Sequence, residues 1–130
     1  MKIPDDVREI LKDSATVKMI STVDTYLDIS LERVKHVEIL DDDIILLPYF
    51  NKKNHTLKNI QQNSAISLAV LRPPIIAFKL NGTLRQIDET GKYLKYFDTL
   101  HTGQVISGVI KIKISEIYAL TMAISGDKIA

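Results

Sequence analysis

Residues 44–71, IILLPYFNKKNHTLKNIQQNSAISLAVL, decide the fold class, because they place two apolar strands around one short helix. Residues 44–47 form a continuous apolar run, which is typical of a buried strand, and Pro48 is expected to end it. Residues 55–62 carry apolar side chains at helical spacing. Residues 65–71 have the composition of a strand, so the segment predicts strand, loop, helix and strand in that order.

The sequence on both sides of this segment predicts more strands than helices. A short amphipathic helix is expected over residues 4–14, and a helical stripe begins at Tyr93. A bulge or close backbone approach is expected at Gly82, and residues 125–130 are expected to be loose. Six or seven strands without βαβ alternation indicate a mostly antiparallel β-barrel with short helices, in one domain over residues 1–130. The further strands are predicted over residues 16–23, 27–40, 75–87, 105–114 and 117–124, the second with a bulge.

Charge and composition narrow the function classes. Lysine and arginine total 17 against 16 acidic residues, a net charge of +1, so nucleic acid is not the expected partner. The absence of cysteine excludes disulfides and sulfur-ligated metals, and His36, His55 and His101 have no metal-binding spacing. No apolar run has the length of a signal peptide or a membrane span. We therefore expect a cytoplasmic protein that binds neither a metal nor a membrane.

The junction from Pro48 to Lys58 has the features of an anion site. A helix that starts near Asn54 presents unpaired backbone N–H groups and the positive end of its dipole. Thr56 adds a hydroxyl donor at the same point. An ordinary helix cap beside a solvated lysine loop accounts for the same residues, so both interpretations stay open. The positive charge around this helix start comes from Lys52, Lys53, His55 and Lys58.

A second basic segment lies within the predicted strand 27–40. Strand alternation puts Arg33 and Lys35 on one face, where they are placed to contact a ligand lying across the barrel, and His36 follows directly. A solvated strand face gives the same pattern. Tyr49 and Phe50 lie beside the basic loop and are suited to edge a flat ring system.

Four segments, taken in order, resemble the pyridoxamine 5'-phosphate oxidase-like, FMN-binding split-barrel family. The most informative is NHTLKNIQQNSAISL, residues 54–68, and the last is VIKIKISEIY, residues 109–118. LDDDIIL at residues 40–46 and FKLNGTL at residues 78–84 support it. The resemblance implies an antiparallel, Greek-key-like split β-barrel with short flanking helices. It also implies a homodimer that holds FMN between two barrels, and electron or hydride transfer with an unidentified small-molecule or protein partner.

The resemblance also implies which residues meet the cofactor. His55 stands where the family usually has lysine or arginine, and residues 25–27 replace its Gly-x-Pro. The chain is expected to be closer to short flavin-reductase-like or flavodoxin-substitute members than to the oxidase itself, as a possible FMN-dependent oxidoreductase without an assigned catalytic residue. A flavin-free interaction module and a deazaflavin- or haem-binding relative stay open as alternatives. The expected cofactor-binding residues are Arg33, Lys35, His36, Pro48, Tyr49, Phe50, Asn51, Lys52, Lys53, Asn54, His55, Thr56 and Lys58.

Overall fold

A computed structural model of the chain describes residues 1–50, 55–72, 76–99, 106–120 and 128–129, without the side chains of residues 55, 98 and 99. These residues form three helices and seven strands. The helices are α1 (Asp5–Lys12), α2 (His55–Gln62) and α3 (Lys92–Thr99). The strands are β1 (Val17–Val23), β2 (Ile29–Val34), β3 (Glu38–Ile39), β4 (Ile44–Tyr49), β5 (Ala65–Arg72), β6 (Ile76–Asp88) and β7 (Gly108–Ala119).

All seven strands belong to one antiparallel sheet with the order β2-β1-β5-β6-β7-β4-β3. The hairpin β1–β2 is local, but β1 then pairs with β5 and β4 pairs with β7, which gives the Greek-key character. No ladder joins the two edge strands β2 and β3 among the described residues, so the barrel is split between these two edges. The predicted fold class, a split barrel with short flanking helices, is confirmed.

The core fills the inside of this curved sheet. Alternate residues of the long strands point inward, such as Leu68 on β5 and Ile112 on β7, each 1% exposed. Helix α1 closes one end with Val7, Ile10 and Leu11, the face that its sequence spacing predicted. A second cluster beneath α3 joins Phe97 to the outer face of β4 and β7.

The prediction of a single strand over residues 27–40 is wrong. The chain forms β2 and β3 instead, and these strands lie at opposite edges of the sheet. Alternation of apolar residues is a local property, whereas the exchange of one sheet partner for another is not. The apolar residues of the first part face solvent, since Ile29 and Leu31 are 64% and 67% exposed.

Pro48 does not end its strand as predicted. It lies within β4, opposite Val109 of β7, and the strand continues to Tyr49. Strand β3 pairs only with Ile45 and Leu46, so beyond Leu46 that edge of β4 has no partner strand among the described residues. A proline is tolerated there because no N–H is required for a ladder bond.

Gly82 causes the irregularity that the sequence predicted for β6. The register between β6 and β7 shifts between Asn81 and Gly82. A Cβ atom on Gly82 would lie 2.5 Å from the backbone oxygen of Lys113, so the two strands approach too closely for any other residue. A second shift follows between Leu84 and Gln86.

The last strand differs from its prediction, since β7 is one strand of twelve residues rather than two segments. Its second half extends beyond β4 and pairs instead with the end of the chain, where Lys128 forms a bridge with Tyr118. The amide of Ile129 donates to the carbonyl of Ile117 over 2.8 Å. Lys128 and Ile129 are therefore attached to the sheet and are not loose, contrary to what the sequence had predicted for residues 125–130.

Candidate functional site

A cavity of about 260 Å³ opens where the barrel is split. Its walls come from both sides of the gap, from β1 and β2 on one side and from β4 and β7 on the other, and α2 covers one end. This cavity is called the split cavity below. Its lining consists of Ile20, Glu32, Arg33, Val34, Lys35, His36, Leu47, Pro48, Tyr49, Phe50, Thr56 and Ile110.

The split cavity brings together two segments that the sequence analysis singled out separately. Lys58 is exposed on α2 and does not line the cavity. Residues 51–54 and the side chain of His55, which belong to the expected basic loop, lie outside the described part of the chain. The predicted residues that line the cavity are Arg33, Lys35, His36, Pro48, Tyr49, Phe50 and Thr56.

Helix α2 is fixed against β1 by a buried polar contact. The Asn59 side-chain amide donates to the Thr22 hydroxyl oxygen over 3.1 Å, and both residues are at least 96% buried. A buried hydrogen bond of this kind contributes about 1 kcal/mol and fixes the rotation of the helix. Leu57 and Ile60 pack in the core from the same helix. As a result Thr56, which is 4% exposed, faces the cavity from the first turn.

Tyr49 forms the part of the wall nearest β7. Its ring lies over Gly108, where a Cβ atom would come within 2.5 Å of Tyr49 Cζ. Burial raises the pKa of Tyr49 to about 12, and the negative charges of Glu89 and Asp88 add to this effect. The phenol therefore stays protonated at physiological pH.

The rim of the cavity carries a positive excess. Arg33 and Lys35 are exposed, His36 is half-buried, and Glu32 is the one carboxylate among the lining residues. Lys18 does not line the cavity but is buried on β1, and its Nζ donates to the backbone oxygen of Asp13 over 3.0 Å. Burial lowers the pKa of Lys18; Asp13 opposes this shift and Arg33 adds to it.

The sequence analysis missed the apolar floor of the cavity. Ile20, Leu47 and Ile110 are each at most 3% exposed and come from three different strands. Each strand carries an alternating or continuous apolar pattern, which signals burial. That pattern does not say which core residues border an open gap, because the gap depends on the pairing of distant strands.

The described residues contain no group of three or more histidine, aspartate or glutamate side chains placed to hold a metal ion. They also contain no helix long and apolar enough to cross a membrane.

Comparison with solved structures extends the fold assignment. HupZ from Group A Streptococcus superposes with a TM-score of 0.82 at 19% identity, covering 96% of this chain and 99% of that chain. An FMN-binding protein from Syntrophomonas wolfei subsp. wolfei gives a TM-score of 0.72 at 17% identity, covering 88% and 84% of the two chains. An F420 reductase gives a TM-score of 0.68 at 15% identity, covering 88% and 98%. At these identities the similarity shows the shared fold alone.

The sequence itself was also compared with known proteins and families. No curated protein matches it. The sequence profile of the pyridoxamine 5'-phosphate oxidase family matches residues 3–121, which is nearly the whole chain. The protein with the split barrel and the cavity described above therefore belongs to the pyridoxamine 5'-phosphate oxidase family.

Proposed function

We propose that the protein binds FMN in the split cavity and acts, as a homodimer of single-domain chains, in electron or hydride transfer. The observation that carries the proposal is the composition of the cavity. Five chain segments meet there and supply an apolar floor, a cationic rim and a buried hydroxyl. The family and the FMN-binding protein of the same fold support a flavin as the ligand.

The residues present fit the two chemical parts of FMN. A flat ring system needs apolar walls, which Ile20, Leu47 and Ile110 provide. A phosphate needs cations and hydrogen-bond donors, and the start of α2 supplies backbone N–H groups beside the Thr56 hydroxyl. Arg33 contributes a planar guanidinium at the rim.

FMN, when bound, supplies reversible electron or hydride transfer, and the protein supplies position and electrostatics. In this proposal Thr56 and the first turn of α2 hold the phosphate end, and Arg33 and Lys35 neutralise its charge. Tyr49 and Pro48 keep the ring against the β4 wall and exclude water from it. No side chain is assigned a catalytic role.

The first test compares FMN with riboflavin in titrations followed by flavin fluorescence. We expect FMN to bind much more tightly, because riboflavin has no phosphate to place at the start of α2. Equal affinities would contradict the assignment of this end of the cavity to a phosphate. Native mass spectrometry of the purified protein identifies the bound ligand directly.

The second test removes one hydroxyl from the cavity. Thr56→Val keeps the side-chain shape, and we expect FMN affinity to fall by about 1 kcal/mol, or about fivefold, through one lost hydrogen bond. Thr83→Val is the matched control, because Thr83 is exposed on β6 and does not line the cavity. The assignment is wrong if Thr56→Val binds FMN as the native protein does while riboflavin affinity is also unchanged.

The F420 reductase of the same fold favours a second candidate, a deazaflavin in the same cavity. The same titration with F420 separates the two cofactors. A colourless purified protein that binds neither cofactor would instead favour the flavin-free interaction module, and a haem would be visible in the absorption spectrum.

A further inference from the structure

A second cleft, of about 380 Å³, lies on the outside of the barrel between α3 and the β3–β4 edge. We call it the α3 cleft. The split cavity opens in the barrel gap, and the two cavities share no lining residue. The proposed cofactor site therefore does not account for the α3 cleft. Its lining consists of Glu38, Ile39, Leu40, Leu46, Lys92, Tyr93 and Tyr96.

The apolar part of the α3 cleft has a firm floor and an exposed mouth. Leu46 and Tyr93 are 2% and 8% exposed and belong to the cluster beneath α3, which fixes the floor. Leu40 and Tyr96 are 47% and 45% exposed and flank the opening. Two large apolar side chains that remain in water on either side of a cleft mark a place for an apolar ligand. A single aromatic ring is the size of group that such an opening accepts.

Two ammonium groups and one carboxylate lie around the cleft. The Tyr96 hydroxyl donates to Glu38 Oε2 over 3.4 Å, so the one carboxylate of the lining is already engaged. Lys92 Nζ lies 5.1 Å from the centre of the Tyr93 ring and pairs with no carboxylate in the part of the chain that the structure describes. Lys111 Nζ also donates no hydrogen bond to a carboxylate among the described residues. It donates to the Tyr93 hydroxyl oxygen over 3.2 Å. Two ammonium groups therefore border the ring of Tyr93.

From this arrangement we propose that the α3 cleft binds a small aromatic carboxylate. The aromatic ring lies between Leu40 and Tyr96 above Leu46, and the carboxylate pairs with Lys92. The proposal does not depend on the identity of the cofactor in the split cavity. It assigns a binding role only, and no reaction.

Phenylacetate is the probe, and amide NMR of the ¹⁵N-labelled full chain is the readout. We expect saturable shifts at α3 and β3, with a dissociation constant in about the millimolar range that a fragment of this size reaches. The neutral probe 2-phenylethanol has the same ring without the charge, and we expect it to bind at least about twofold more weakly, as an exposed ion pair implies.

Three variants make the test specific. Lys92→Glu reverses the recognising charge, and Lys95→Glu makes the same change at an exposed position of α3 outside the cleft. Leu40→Ser removes an exposed apolar contact without opening the core. We expect Lys92→Glu and Leu40→Ser to weaken phenylacetate binding severalfold and Lys95→Glu to leave it within about twofold. The proposal is overturned by shifts that do not saturate, by shifts centred on the split cavity, or by equal effects of Lys92→Glu and Lys95→Glu.

Discussion

Asp88 joins the end of β6 to the start of α3 through hydrogen bonds from three backbone amides. Its Oδ1 accepts from Thr90 and Gly91 over 3.2 and 2.6 Å, and its Oδ2 accepts from Tyr93 over 2.9 Å. Burial by itself would raise the pKa of Asp88, but these amides outweigh it and lower the pKa. One carboxylate thus orients the helix that forms a wall of the α3 cleft.

Asp88→Asn is therefore expected to lower the free energy of unfolding by about 1–2 kcal/mol at neutral pH, since an amide accepts fewer of these bonds. The native carboxyl has a lowered pKa, so the unfolded chain binds more protons between that pKa and about 3.9. The stability from Asp88 is then lost as the pH falls through this window. Urea unfolding at pH 6 and pH 3 measures both effects.

In that experiment the difference between the native protein and Asp88→Asn should shrink towards pH 3. Asp28→Asn is the control, because Asp28 is exposed and its carboxylate accepts no hydrogen bond among the described residues. A constant difference across the pH range would show that the carboxylate charge has no part in capping α3.

At the scale of elements, β6 depends on one residue that carries no side chain. Gly82→Ala would place a methyl group 2.5 Å from the Lys113 oxygen and 2.9 Å from Ile112 Cγ2. We expect a loss of about 1–3 kcal/mol, as in other overpacked cores. Thr83→Ala, at the next position and exposed, should change stability by no more than about 0.5 kcal/mol. Thermal unfolding that ranks both variants alike would contradict the close approach of β6 and β7.

The elements also show what the sequence can predict in this protein. The helices α1, α2 and α3 were predicted because their apolar spacing is local and the structure buries the same faces. The bulge at Gly82 was predicted because a glycine inside a strand often marks a bulge or a close backbone approach. The division of residues 27–40 into β2 and β3 was not predicted, because it depends on which distant strand each half pairs with.

The same distinction applies to the split cavity. Residues 33–36 and 48–50 were both singled out in the sequence, and their meeting depends on a gap between the β2 and β3 edges that only the complete strand order reveals. Thr56 was predicted from its place in the first turn of α2. Lys58 was predicted from charge alone, and its direction on the helix takes it away from the cavity.

At the scale of the whole molecule, the β1–β2 hairpin carries the largest apolar exposure among the residues that the structure describes. Tyr26, Leu27, Ile29 and Leu31 are all 64–89% exposed, and Leu27 has a φ of 66°, which is uncommon for leucine. An apolar strip on an edge strand invites pairing with another chain. The proposed homodimer would cover this strip.

Leu31→Lys is therefore expected to convert the proposed dimer to a monomer in sedimentation velocity at micromolar concentration, because burying the new charge is costly. Leu120→Lys makes the same change at a less exposed apolar position at the end of β7. It should leave the dimer intact. A native protein that sediments as a monomer, or a dimeric Leu31→Lys, would contradict this role of the hairpin.

The pairing of β4 with β7 also affects how the chain folds during synthesis. When β4 leaves the ribosome, the two-residue β3 is its one neighbour among the described strands already made, and its ladder with residues 108–113 cannot form until β7 is translated. Until then the apolar side chains of β4 remain exposed, and aggregation competes with folding during this time. Barrel closure is thus a late event, and nascent chains that stop before β7 are expected to need protection by a chaperone.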